Sequence, residues 1–189
     1  FLHTLCYLAG RFPRLRIVFE HVSSADAVEC VKNLPSNVAA TVTVHHLLLT
    51  LDDVVGDKLR PHHFCKPLAK RPEDRTAIQR VVLKGNRKFF LGTDSAPHDV
   101  HTKECDDGCA GVFTAPVTLP LLADFFSMNT ALHKLEAFTS FSGAHFYRLE
   151  PNTRKIGLEN IMREWQVPAQ YGTVVPFMAG KTLRWKVIE

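Results

Sequence analysis

Gly92-Thr93-Asp94-Ser95-Ala96-Pro97-His98 places a carboxylate and an imidazole on one short segment. It follows Lys88-Phe89-Phe90-Leu91, an apolar run bounded by Gly85-Asn86-Arg87 and by Gly92. Such a run reads as a buried strand. Gly92 lets the chain turn, and Pro97 stiffens the loop that carries Asp94 and His98. The carboxyl end of a buried strand is where α/β enzymes place acid–base and metal-binding groups. From these residues alone an equal alternative stands: Asp94 caps a turn and His98 is a surface histidine.

A second strand end carries a matching group. Leu15-Arg16-Ile17-Val18-Phe19 reads as a strand and runs into Glu20-His21. A neutral imidazole and a carboxylate suit zinc, although a catalytic zinc normally takes three protein ligands. His45 and His46 follow another strand, Val38 to Val44, and either add a ligand or pack as hydrogen-bonded histidines. Cys105 and Cys109 enclose Asp106-Asp107-Gly108, half of a zinc knuckle at most. A loop with free thiols is the stronger reading, because no second pair lies nearby.

The elements that must position these groups follow an α/β order. After His21, Ser23 or Ser24 can cap a helix with Asp26 in its first turn. Ala27, Val28, Val31 and Leu34 share one face of that helix, and Pro35 stops it. Thr50 to Arg71 is a long polar connection without periodicity, of a length that is usually functional or disordered. Pro72-Glu73-Asp74 opens a further helix, with proline and acids in its first turn, and Gly85-Asn86 ends it. The first half is therefore βαβ(loop)αβ, the pattern of a parallel sheet covered by helices. The second half reads as helices at Leu119–Ser127, Ala131–Thr139 and Leu158–Trp165, then a tail from Val174 to Val187.

Bulk properties exclude several classes. A chain of 189 residues that is 46% hydrophobic and 22% charged is an ordinary globular domain with room for a core. No apolar run approaches the roughly 20 residues that span a bilayer. The net charge of +4 is modest, and no basic run interleaves with aromatics as a nucleic-acid surface requires. Five cysteines at irregular spacing argue against a disulfide framework and for a reducing, cytoplasmic setting. Phe1, Leu5, Leu8 and Phe12 repeat at helical spacing without a basic leader, so this is not a signal peptide. The chain opens inside this helix and without Met, which leads us to expect a missing upstream part.

Several segments together carry a family likeness. They are Ile17-Val18-Phe19-Glu20-His21, Arg60-Pro61-His62 with Cys65-Lys66-Pro67-Leu68-Ala69-Lys70-Arg71, and Phe90-Leu91 through His98. Cys109-Ala110-Gly111 with Ala115-Pro116, Val175-Pro176-Phe177, Ala179-Gly180 and Leu183-Arg184-Trp185 complete the set. In this order the chain resembles the carboxyl-terminal half of the dihydroorotases, the shorter monofunctional type of the amidohydrolase superfamily. The resemblance implies a (β/α)8 barrel with a two-zinc centre at the carboxyl face of its strands. The strands ending before His21, His45 and Asp94 would be its sixth, seventh and eighth, followed by carboxyl-terminal helices.

The resemblance also implies roles. His21 would bind the more exposed zinc. Asp94 would bind the more buried one and act as the catalytic acid/base. His98 and the backbone N–H of Ala110 would hold the substrate carboxylate, and main-chain groups at Lys66 the pyrimidine ring. The reaction would be the reversible conversion of N-carbamoyl-L-aspartate and L-dihydroorotate in pyrimidine biosynthesis, with a homodimer expected from the family. His45 and His46 fall outside the family's ligand pattern.

The same comparison marks what this chain lacks. The family's His-x-His pair, its metal-bridging carbamylated lysine and a further histidine have no counterpart here. Residues 1–189 are thus expected to be one partial domain without its amino-terminal half, inactive alone. Two alternatives compete: a catalytically dead dihydroorotase-like binding partner, and another cyclic amidohydrolase such as a hydantoinase. Intact His21, Asp94 and His98 weigh against the first, and the His98–Gly111 segment against the second.

Overall fold

The computed structural model describes residues 1–188, and the side chains of all of these but 162–164. Helix α1 (Leu2–Arg11) leads into β1 (Ile17–Phe19), α2 (Ala25–Asn33) and β2 (Val38–Val42). Two short helices, α3 (Val44–Leu48) and α4 (Asp52–Val55), precede the long α5 (Pro72–Leu83) and β3 (Phe89–Leu91). The three strands form one parallel sheet in the order β1-β2-β3, with Phe19 beside Ala40 and Val42 beside Leu91. Every residue of β2 is buried, as a central strand covered on both faces should be. All three residues of β1 remain half-buried at the sheet's edge.

Local chemistry fixes the two crossover helices. The Ser24 hydroxyl accepts the Ala27 N–H at 3.2 Å, the N-cap its sequence suggests. Asp74 does this twice over: one carboxylate oxygen accepts the Ala25 N–H (2.8 Å) and the other the Arg71 N–H (3.2 Å). One side chain therefore ties the first turns of α2 and α5 together. At the other end of α2, the Lys88 ammonium donates to the carbonyls of Val31 and Leu34, which the helix leaves unpaired. Gly85, at φ 74°, takes the left-handed turn that ends α5.

The remaining elements are α6 (Val100–Lys103), α7 (Thr118–Met128), α8 (Ser142–Tyr147), β4 (Gly157–Gln166) and β5 (Thr182–Ile188). Helix α7 buries Leu121, Leu122, Ala123, Phe125 and Phe126 in the same core as β2 and α2.

Four expectations need correction. The stretch Leu158–Trp165 is not a helix but lies in β4, which pairs antiparallel with β5, so the tail beyond Val174 contains a strand too. Leu158 and Trp165 suit either element by spacing; the backbone partners offered by β5 decide it. The expected helix at Ala131–Thr139 breaks into a 3-10 turn (Leu132–Lys134) and a π turn (Ala137–Phe141) before α8. The strand expected to reach Val44 stops at Val42, because the Thr43 hydroxyl accepts the His46 N–H (3.1 Å) and starts α3. The connection Thr50–Arg71 contains α4 and a 3-10 turn at Pro61–His63.

Candidate metal and substrate site at the carboxyl end of the sheet

His21 follows β1 and Asp94 follows β3, so both stand at the same end of the sheet on either side of β2. Thr41 of β2 links them. Its hydroxyl oxygen accepts the His21 N–H at 2.7 Å and its hydroxyl proton goes to the Glu20 carboxylate at 2.5 Å. On its other side Gly92 packs directly against Thr41: a Cβ at position 92 would fall 2.6 Å from the Thr41 Cβ. Only glycine allows that approach. Both candidate ligands take positive φ, 41° at His21 and 42° at Asp94, a conformation uncommon outside glycine.

The donor chemistry suits zinc. Nδ1 of His21 is buried without a hydrogen-bond partner among the described residues, an orphaned nitrogen of the kind a metal satisfies. The Asp94 side is exposed. Nitrogen and carboxylate oxygen are ordinary zinc donors.

Beyond Asp94 the loop is fastened to the segment 111–115. The Ser95 hydroxyl accepts the N–H groups of Thr114 (3.1 Å) and Ala115 (2.9 Å), and the Ala96 N–H donates to Val112 O (3.1 Å). His98 then lies against Gly111. A Cβ there would stand 2.7 Å from the His98 ring carbon Cδ2 and 2.8 Å from its Nε2. The structure thus brings His98 and the Ala110–Gly111 turn together. Lys66 is exposed, on a loop held beneath by Cys65 and His46.

His46 has a role that its position in the sequence did not disclose. Its Nε2–H donates to Pro67 O at 2.9 Å, and its Nδ1 accepts the Thr43 hydroxyl at 2.7 Å. Both nitrogens are used, so His46 holds the Lys66 loop as a neutral imidazole. Burial pushes its pKa down to about 4, against the opposing pull of the Pro67 hydrogen bond. The unfolded chain takes up a proton near pH 6.5 and the folded chain only near 4. Stability is therefore complete above pH 6.5 and falls between 6.5 and 4, by on the order of 3 kcal/mol. Urea titrations of the protein across that window should show the decline, and His46→Gln should make it clearly shallower, with the buried His45 supplying the remainder; equal slopes for both proteins would refute the assignment.

His45, fully buried, leaves both ring nitrogens without partners among the described residues, and burial, then His46 and His21, pushes its pKa down to about 2. His45, His46 and Cys65 are one group whose donor atoms lie within 4.8 Å of one another. The bonds of His46 to Thr43 and Pro67 commit that ring to structure. Cys105 is exposed and Cys109 partly so, and all five cysteines are free thiols.

Comparison with known proteins fits this geometry. A dihydroorotase of Laribacter hongkongensis is 50% identical over 184 residues, 95% of this chain and 53% of that protein. The crystal structure of a dihydroorotase from Saccharomyces cerevisiae in complex with 5-fluoroorotic acid matches all of this chain and 55% of its own, with a TM-score of 0.89 and 35% identity. That of Campylobacter jejuni gives 0.88 and 42%. The chain is homologous to the dihydroorotases. It spans about half the length of the curated relatives it matches. No protein-family profile matches it. A D-hydantoinase from a Thermus species shares the fold alone, at 12% identity and a TM-score of 0.78. The three parallel strands are thus part of the (β/α)8 barrel expected from the sequence. No helix among the described residues is long and apolar enough to cross a membrane.

Proposed function

We propose that this chain forms the carboxyl-terminal half of a cytoplasmic, homodimeric dihydroorotase that binds two zinc ions. The observation that carries the reading is the placement of His21 and Asp94 at one end of the sheet on either side of β2, with a buried, orphaned Nδ1 on His21 and an exposed Asp94. His21 and Asp94 come from strands two places apart, roughly 10 Å in backbone terms. Two ions rather than one is what the resemblance to the dihydroorotases implies. Zinc, when bound, polarises a carbonyl and lowers the pKa of water towards about 7.

The chain's own residues do the rest. Asp94 accepts a proton from the attacking water and passes it to the ring nitrogen that leaves. In the ring-closing direction it takes the proton from the attacking carbamoyl nitrogen and passes it to the departing carboxyl oxygen, which leaves as water. His98 and the Ala110 N–H hold the substrate carboxylate, which fixes the ring relative to Asp94. Main-chain groups at Lys66 hold the ring's polar edge, leaving that side chain free in solvent.

The full-length protein should hydrolyse L-dihydroorotate, lose activity to a chelator and regain it with zinc, while hydantoin is a poor substrate. Residues 1–189 alone, with two ligands, should show no turnover with added zinc. A full-length protein that turns over hydantoin but not dihydroorotate would overturn the reading.

A further inference from the structure

Lys103, the last residue of α6, is the buried charge that this mechanism leaves unused. It is 4% exposed, and its ammonium donates to three backbone carbonyls: Phe64 (3.1 Å), Cys109 (2.9 Å) and Gly111 (2.6 Å). Those bonds use all three of its protons. None of its partners is a carboxylate, so a positive charge is buried among neutral groups. Such burial is costly, and it pushes the lysine's pKa down.

The carbonyls come from two different loops. Phe64 precedes Cys65-Lys66, and Cys109 and Gly111 flank Ala110. The loops also meet directly, since the Gly111 N–H donates to Phe64 O at 2.9 Å. In a trans peptide the N–H points opposite to the C=O. When Lys103 holds Cys109 O, it turns the Ala110 N–H away from itself. That N–H makes no backbone hydrogen bond among the described residues. A cation on the carbonyl of a peptide also polarises its N–H into a stronger donor.

We propose that Lys103 is a positioning residue for the substrate carboxylate: it locks the Lys66 loop to the Cys109–Gly111 turn and presents the Ala110 N–H, polarised, as an anion donor. This rests on the dihydroorotase reading above. It assigns Lys103 an effect on binding the anionic group, distinct from the proton transfer at Asp94.

The test uses the full-length protein with Lys103→Met and Lys103→Gln. With dihydroorotate, Lys103→Met should raise KM about 10-fold or more and change kcat much less, with Lys103→Gln between it and wild type. Calorimetry should show the affinity for orotate, which carries the same carboxylate, falling in step. Amide hydrogen exchange on the wild-type protein gives a readout that misfolding of a variant cannot spoil. There Cys109 and Gly111 should be slow throughout, and Ala110 should become protected when orotate is added. Unchanged KM in Lys103→Met, or an Ala110 amide indifferent to orotate, overturns the inference while leaving the function standing. A wild-type protein that neither turns over dihydroorotate nor binds orotate overturns both.

Discussion

Asp94→Asn should lower kcat of the full-length protein about a thousandfold or more while leaving the melting temperature of the metal-free protein unchanged or higher. Asparagine keeps the size and one oxygen of the side chain but cannot accept a proton, and it is a poorer metal donor. Loss of a general acid/base alone costs roughly 10²- to 10⁴-fold. The substitution removes both proposed tasks at once, so the upper part of that range is expected. Stability should not suffer, because Asp94 is exposed and sits at φ 42°, where asparagine is well tolerated. Steady-state kinetics and a thermal melt decide it. Wild-type kcat in the variant would remove Asp94 from the chemistry, and a large fall in melting temperature would make its role structural.

Gly111→Ala should cost about a hundredfold in kcat/KM, the scale of a misplacement near 1 Å at a reacting site. The new Cβ would meet the His98 ring at 2.7 Å and the Ala96 Cβ at 2.8 Å, and the φ of 155° is one that side chains rarely adopt. His98 must swing away or the Ala110–Gly111 turn must open, and either change spoils the grip on a carboxylate. Gly172→Ala is the control. It also lies at positive φ, 60°, yet its Cβ would meet nothing within 4 Å. It should therefore carry backbone strain of about 1–3 kcal/mol without a kinetic defect. Equal kinetic losses in the two variants would mean that strain, not the His98 contact, is responsible.

Strand ends, caps and breakers are local signals, and these were legible. Ser24, Pro72, Gly85 and the runs before His21 and Asp94 each state their role within a few residues. The parallel order followed from their alternation. What a chain segment meets far along the sequence was not legible. Leu158 and Trp165 carry helical spacing, and only pairing with β5, some twenty residues on, makes a strand of them. Lys103 lies in His-Thr-Lys-Glu-Cys, which reads as a solvated charged run, and its burial depends on carbonyls from two separate loops. Thr41 looked like one more threonine in a strand of alternating residues. Its place between the turns that carry His21 and Asp94 appears only when β1 and β3 are set beside it.

The positive φ angles of His21 and Asp94 bear on how such a sequence drifts. At φ near 41° and 42°, glycine would relieve on the order of 1 kcal/mol at each position. Once selection for catalysis is relaxed, mutation has a downhill path in folding free energy that runs through these two residues first. The histidine and the aspartate are a standing disadvantage to the fold, and their presence records a benefit elsewhere that outweighs it. A duplicated copy kept only as a scaffold would be recognised by glycine at these positions, in a protein more stable than its working ancestor.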